Sequence, residues 1–108
     1  MLTHVWSMTF TEDATPEQRT AFIVAMEKLP SQIAGVESFR SGVDLGLNPG
    51  NSDVVIVADF ADEAAWRAYL EAPAHSAFIE SHVTPLCASW GAIQFDPAAA
   101  QPGPTANI

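Results

Sequence analysis

Apolar and polar positions alternate along the first ten residues of the chain. Leu2, His4, Trp6, Met8 and Phe10 share one side of an extended backbone, and a more polar set shares the other side. A repeat of two residues is typical of a β-strand. The pattern therefore predicts a first strand that carries His4 on its more apolar face.

The next segment has helical spacing. Thr15 is the predicted N-cap, Pro16 occupies the first helical position, and Gln18 lies where a capping box needs a glutamine or glutamate. The apolar positions recur as one stripe, which comprises Phe22, Met26 and Leu29. The sequence predicts a helix that runs to about Leu29 and is stopped by Pro30.

The middle of the chain reads as two further strands. Gly35 opens an extended segment, and Gly42 predicts a bulge or bend within it. Pro49 and Gly50 form a predicted turn in the loop that follows. Residues 54–60 are β-branched and apolar on both sides until Asp59, which is typical of a strand that is covered on both faces.

Two helical segments and a last strand are predicted after residue 61. Asp62 can cap a helix that ends before Pro73, and its shared face comprises Trp66, Tyr69 and Leu70. A shorter helix over 75–83, ended by Pro85, would place four side chains on one side: His75, Phe78, Ile79 and His82. Residues 89–96 read as the last strand.

The resulting order, β-α-β-β-α-β, predicts an α+β, ferredoxin-like fold. We predict one domain over 1–96 and an irregular tail over 97–108. Helices cover one face of such a sheet, so Val55 and Val57 would make the other face apolar. An identical subunit packed face to face would bury it and form a two-fold homodimer. The alternative is a monomer whose tail or long loop covers that face.

The composition and net charge of the chain limit the classes of partner and the cellular location that we expect. Thirteen acidic against four basic residues give a net charge of −9, which disfavours binding to nucleic acid and to anionic membranes. Cys87 is the only cysteine, so no internal disulfide can form. No apolar run is long enough for a bilayer, and the N-terminus lacks the basic region of a signal peptide. We therefore expect a cytoplasmic protein.

Tyr69 and His75 are the main candidates for chemistry. A neutral imidazole can take a proton from carbon, and a phenol can donate a hydrogen bond to the resulting oxyanion. Pro73 breaks the helix between them, so the two rings are free to converge on one cavity. The alternative is structural: Tyr69 would pack on Trp66, and His75 would cap a helix.

The other histidines are weaker candidates. A polar ring at His4 needs a hydrogen-bond partner among apolar neighbours, and either Tyr69 or His75 could supply it. A backbone carbonyl is the structural alternative. His75 and His82 would lie about 10 Å apart along one helix, too far to share a metal ion. We predict no metal and no cofactor.

Four stretches resemble the stress-responsive dimeric α/β-barrel family, often called Dabb. They are T-H-V-W-S-M-T-F, I-A-G-V-E-S-F-R-S-G-V-D, V-I-V-A-D-F-A-D-E-A-A-W-R-A-Y and Y-L-E-A-P-A-H-S-A-F, and together they cover about residues 3–96. The resemblance implies that the sheets of two ferredoxin-like subunits close into one barrel.

The family includes a plant polyketide (olivetolic acid) cyclase that performs an aldol condensation without a cofactor. The resemblance implies that Tyr69 and His75 match its tyrosine and histidine, and that His4 matches a pocket histidine. A further polar pocket position of that cyclase falls on Val54, where this chain departs from it. The side chains expected to contact substrate are Trp6, Met8, Val54, Phe78 and Ile79.

Three functions follow as hypotheses. The first is a cofactor-independent lyase or cyclase for a small carbonyl-rich or polyketide-like substrate, with His75 as base, Tyr69 as orienting donor and His4 as an accessory group. The second is a non-catalytic stress protein that binds a small apolar or aromatic ligand. The third is a cofactor-free monooxygenase, a chemistry found in related dimeric barrels.

Overall fold

The alternation at the start of the chain builds a central strand of an antiparallel sheet. The computed structural model describes residues 1–99, and within them four strands form the sheet in the order β2-β3-β1-β4. Their bounds are β1 Leu2–Phe10, β2 Val36–Val43, β3 Val54–Phe60 and β4 Cys87–Phe95. This order confirms the predicted ferredoxin-like fold.

Helices cover one face of that sheet. Their bounds are α1 Pro16–Gln32, α2 Glu63–Glu71, α3 Pro73–Phe78, a π-helix Ile79–Val83 and a short α4 Thr84–Leu86. The predicted caps are present: the Thr15 hydroxyl accepts from the Gln18 backbone, and Asp62 caps α2. These caps satisfy amide groups that the first turn of each helix leaves unpaired.

The strand register decides which residues face the helices. His4 lies opposite Ala58 on β3 and opposite Gln94 on β4, so these three side chains share the helix-facing side. Val5 lies opposite Val57 on the other side, where the structure shows no helix among residues 1–99. Within the described chain only one face of β3 is buried, whereas Val55 and Val57 on the other face are half-buried, so cover on both faces stays a prediction that depends on a partner.

A single apolar core lies between the sheet and α1. Its most deeply buried side chains come from both layers: Met8, Ala58, Phe60, Phe22, Met26 and Leu29. Phe22 of α1 meets Phe10 of β1 with ring centroids 5.1 Å apart, in an edge-to-face arrangement that aromatic pairs favour. The stripe predicted from the helical spacing is thus the packed face of α1.

Pro30 does not stop α1, contrary to the prediction. The helix continues to Gln32, with Pro30 inside its last turn. Proline costs a helix one hydrogen bond to the residue four positions earlier, but its fixed φ is compatible with helix. Ile33, only 7% exposed just after the helix, anchors this end in the core. Burial of Leu29 and Ile33 on either side of Pro30 therefore offsets part of the loss.

The predicted bulge at Gly42 is also wrong. Gly42 pairs regularly with Val55, and the register shift lies at the start of β2, between Val36 and Ser38. A side chain at Gly42 would make only an ordinary contact, 3.8 Å from Val55. Gly35, with φ of 88°, supplies the turn into β2 that directly precedes the shift.

The last helical segment is longer than predicted and not uniform. It begins at Pro73 rather than 75, and it passes Pro85 to end at Leu86. Pro73 and Pro85 each lie at the start of a new helix, where their missing amide costs little. The π-helix between them contains His82, which lines a different groove from His75.

Strand β4 begins at Cys87, two residues earlier than predicted, with a register shift opposite Thr9 and Phe10. Of the predicted irregular tail over 97–108, residues 100–108 lie outside the described part of the chain. Within the described residues, no helix is long and apolar enough to cross a membrane.

Candidate functional site

A cavity of about 590 Å³ opens between the sheet and the helices that follow β3. The β1 and β4 strands form its floor, and α2, α3 and the π-helix form its walls. The floor includes His4, Trp6, Ala92 and Gln94, the exposed Trp90 on the edge strand lies at the rim, and the walls include Trp66, Tyr69, His75, Phe78 and Ile79. Pockets of this size and apolar character commonly bind small molecules.

The break between two helices places Tyr69 and His75 together. Ala72 is both the C-cap of α2 and the N-cap of α3, and Pro73 starts the new helix in a new direction. The rings of Tyr69 and His75 lie 4.8 Å apart between centroids, with an angle of 63° between their planes. Continuous helical spacing would not give this contact, since six residues are more than one and a half turns.

His4 reaches the same cavity from the sheet. Its ring centroid is 6.2 Å from that of Tyr69, so Tyr69 is near both imidazoles. His4 is only 5% exposed. Its Nδ1 is 2.9 Å from Nε2 of Gln94, so among residues 1–99 the partner of this nitrogen is the Gln94 amide and not His75, Tyr69 or a backbone carbonyl.

The sequence reasoning missed Gln94. With the Gln94 amide as donor, Nδ1 of His4 accepts, and the neutral ring carries its proton on Nε2. The signal that could have found this pair is strand pairing, because His4 and Gln94 are directly opposite across β1 and β4. That register depends on the bulge near Thr9, which the alternation of single strands does not reveal.

Burial makes both cavity histidines neutral. Desolvation lowers the pKa of His75 below its usual value, and the Leu70 backbone carbonyl opposes this shift only in part. Desolvation also lowers the pKa of His4, and the nearby charge of protonated His75 lowers it further. Removing an imidazole from water disfavours its cationic form. At neutral pH both rings are therefore bases.

Burial raises the pKa of Tyr69, whereas it lowers the pKa of each histidine, because in both cases it disfavours the charged form. Its side chain is 2% exposed, and desolvation raises the pKa of its phenol to about 12. The phenol therefore stays protonated at neutral pH and can donate a hydrogen bond. Tyr69 packs on Phe60, with centroids 5.2 Å apart, and on His75, whereas the structural alternative had it packing on Trp66.

The cavity contains no Asp, Glu, Lys or Arg side chain among its lining residues. All three tryptophans of the chain, Trp6, Trp66 and Trp90, do line it. The buried indole N–H of Trp66 has no hydrogen-bond partner in the described part of the chain. An unsatisfied buried donor costs free energy, and a bound acceptor would relieve that cost.

The residues expected to contact substrate divide into two groups. Trp6, Phe78 and Ile79 line the cavity together with the three candidate catalytic residues. Met8 and Val54 do not line it, because both are buried in the core, at 0% and 2% exposure. The position where the chain departs from the cyclase pattern therefore does not line this cavity.

The third histidine, His82, does not line the cavity. His82 lies against Phe22 and Phe78 and lines a second, more open groove beside α1. Among residues 1–99, no three His, Cys, Asp or Glu side chains form a group able to hold a metal ion.

Known proteins share this architecture. A dimeric ferredoxin-like protein of unknown function from Thermobifida fusca is 35% identical, with 87% of this chain and 88% of that chain covered and a TM-score of 0.79. A Dabb family protein with a ferredoxin-like fold from Mesorhizobium loti is 24% identical, covering 91% and 97% of the two chains, with a TM-score of 0.77.

A third structure is the hydroxynitrile lyase of Passiflora edulis, which is 14% identical and covers 87% and 90% of the two chains with a TM-score of 0.76. At this identity the similarity concerns the fold alone. No curated protein matches the sequence. The family description that matches, over residues 2–97, is the stress responsive A/B barrel domain, Dabb. The chain belongs to the Dabb family.

Proposed function

We propose that this Dabb protein is a homodimer whose cavity binds a small, uncharged, carbonyl-containing molecule and catalyses a cofactor-independent lyase or cyclase reaction on it. The observation that supports this most directly is the convergence of His4, Tyr69 and His75 on one apolar cavity. They come from β1, α2 and α3: the helix break at Pro73 brings Tyr69 and His75 together, and the packing of the sheet adds His4.

The protonation states suit general acid–base chemistry. His75, neutral at pH 7, would remove the proton from the carbon next to a substrate carbonyl. The protonated phenol of Tyr69 would donate a hydrogen bond to the carbonyl oxygen as negative charge develops there. In a cyclisation the resulting carbanion attacks a second carbonyl of the same molecule, a carbon–carbon bond forms, and protonated His75 returns its proton to the new alkoxide.

The cavity wall defines the substrate class. Because no charged side chain lines it, a carboxylate or phosphate would lose its hydration without gaining a counter-ion. Aromatic rings from Trp6, Trp66 and Phe78 favour a flat or aromatic body. The accessory role of His4 is to hold a second polar group of the ligand, with its tautomer set by Gln94.

The homodimer is supported by related structures. The Thermobifida fusca protein, 35% identical, is described as dimeric. The free sheet face of this chain presents Ile93 and Phe95, exposed at 59% and 46%, beside the half-buried Val5 and Val57. Burying these side chains against an identical sheet would remove apolar area from water.

The test begins with a ligand search by thermal shift, using uncharged aromatic and polyketone compounds. Hits are then titrated by intrinsic fluorescence, since every tryptophan of the chain lines the cavity. Turnover of the hits is compared among the parent, His75→Ala and Tyr69→Phe. We expect His75→Ala to slow the reaction by about 10²–10⁴-fold, and Tyr69→Phe to slow it less.

His82→Ala is the matched control, because it removes an imidazole outside the cavity. If His75→Ala and Tyr69→Phe react at the parental rate, the catalytic assignment fails.

Non-catalytic ligand binding is the second candidate. It is favoured by one feature of the site: Tyr69 and His75 meet as packed rings, with no hydrogen bond between them in the described chain. This function predicts compounds that bind and shift the tryptophan emission but are released from the cavity chemically unchanged. Product analysis by mass spectrometry separates it from the lyase.

A further inference from the structure

Two exposed apolar surfaces lie outside both the core and the candidate site's interior. One is the pair Leu45 and Leu47 in the loop between β2 and β3, exposed at 82% and 83%. The other is Trp90 on β4, which forms part of the cavity's rim and is 65% exposed. A single exposed leucine carries little information, so the argument depends on how each surface is held.

The loop over 44–53 is fixed in shape. Its ends are joined by the Asp44 backbone N–H, which donates to the Asp53 carbonyl at 2.8 Å. The Asp44 carboxylate accepts from the backbone N–H of Gly46 and from the Asn51 amide, and the Asp53 N–H donates to the Met8 carbonyl. A loop with these bonds presents its two leucines at defined positions.

The two surfaces lie at the same end of the sheet but at opposite edges. Val43, Val54, Met8 and Trp90 are successive partners in the strand register, so they form one row across all four strands. Directly opposite residues share a face, so Val43 and Trp90 both lie on the helix-facing side. The loop continues from Val43 at the β2 edge, and Trp90 lies at the β4 edge.

The strand directions allow these edges to meet between subunits. In the antiparallel order β2-β3-β1-β4, strands β2 and β4 run in opposite directions. A two-fold axis parallel to the strands, between two facing sheets, keeps these directions and brings the β2 edge of one subunit beside the β4 edge of the other. Antiparallel edges can pair, and pairing protects both from water.

We propose that in the homodimer the partner's Leu45 and the partner's Leu47 pack on Trp90 and close the mouth of the cavity. This inference rests on the homodimer of the proposed function, and it adds that each ligand site is completed by the second copy. It also explains why a structured loop carries two leucines into solvent in the isolated subunit. Two such contacts form in each dimer, as the symmetry requires.

The test measures the solvent exposure of Trp90 with 5-fluorotryptophan and 19F NMR. The Trp90 resonance is assigned by its loss in Trp90→Phe, and exposure is taken from its shift between H₂O and D₂O. We expect a protected Trp90 in the parent. In the double variant L45N/L47N, the isotope shift should rise towards that of free 5-fluorotryptophan. Val24→Asn, an exposed apolar position on α1, is the control and should leave Trp90 protected.

A mixed dimer shows which subunit covers Trp90. Labelled parent subunits are mixed with an excess of unlabelled L45N/L47N subunits, so that most labelled subunits face a variant loop. Exposure of the labelled Trp90 supports contact from the partner. Sedimentation of the parent separates the two ways to fail: a monomer at micromolar concentration removes the homodimer as well, whereas a dimer with an exposed Trp90 overturns this inference alone. The inference is also overturned if only the loop change in its own subunit exposes Trp90. A variant without residues 97–108 tests the tail in the same way, and exposure of Trp90 by that truncation alone would overturn the inference too.

Discussion

The helix-facing side of the sheet has two halves that differ in packing. In one half, α1 covers the sheet, and Met8, Phe22 and Met26 are completely buried. In the other half, α2, α3 and the π-helix leave a cavity of about 590 Å³ over β1 and β4. Both halves are built from apolar and aromatic side chains, so hydrophobicity does not distinguish them.

What distinguishes the halves is how completely the helix layer covers the strands. α1 is a 17-residue helix whose stripe of Phe22, Met26 and Leu29 is buried without interruption, as the close packing of a protein core requires. The other cover is made of short segments that change direction at Ala72 and at the π-helix. This incomplete cover leaves a cavity. The rings of His4, Tyr69 and His75 line it and are therefore available to a ligand.

The largest expected effect comes from breaking the packed half. Phe22→Ala removes a fully buried ring that touches Phe10 and Phe78, and we expect it to lower the free energy of unfolding by about 3–5 kcal/mol. Ile79 is a half-buried side chain in the cavity wall. Ile79→Ala should lower the free energy of unfolding by less than about 2 kcal/mol, because the surroundings of Ile79 are already open. Urea unfolding of both variants measures the difference, and equal losses would contradict the contrast between the halves.

An intermediate effect should come from filling the open half. Ala92→Phe places a ring on the cavity floor without disturbing a packed contact, since Ala92 is exposed. Ligand affinity should fall at least about tenfold, equivalent to about 1.4 kcal/mol, while the free energy of unfolding stays within about 0.5 kcal/mol of the parent. Fluorescence titration and urea unfolding measure the two quantities. Ala77→Phe, in the groove beside α1, should leave ligand affinity unchanged.

The smallest effect is the pH dependence that the cavity histidines confer. Burial lowers the pKa of both His4 and His75 in the folded state. Between the unfolded value near 6.5 and the lower folded values, the unfolded chain therefore binds more protons. The stabilising contribution of the two neutral histidines to the free energy of unfolding should be fully present above about pH 6.5. It should be lost as the pH falls through their folded-state pKa values. Urea unfolding from pH 8 to pH 5 measures this dependence.

Two variants sharpen the pH experiment. His75→Asn should flatten the decrease because it removes one titrating ring and its repulsion of protonated His4. His82→Asn removes an imidazole outside the cavity and should retain the parental decrease attributed to the other two. If the decrease is the same in all three proteins, the cavity histidines are not its source.

Much of the fold follows from local patterns. The alternation of residues 2–10, the capping box at Thr15, the cap at Asp62 and the apolar run over 54–60 each predicted an element that the structure contains. The prolines were less informative, since Pro30 lies inside α1 and Pro85 begins a new helical turn. A proline excludes one hydrogen bond, but whether a helix continues depends on what its next turn buries.

The sequence by itself determined the order of elements, the polar rings on their apolar faces and the resemblance to the family. Only the tertiary structure decided that Gln94 holds His4, that Tyr69 is near two imidazoles, and that His82 lines a different groove. Periodicity and capping act within a few residues, and the sequence displays them directly. Strand register and the turn of a π-helix arise from contacts between distant segments, so they exist only once the layers have packed.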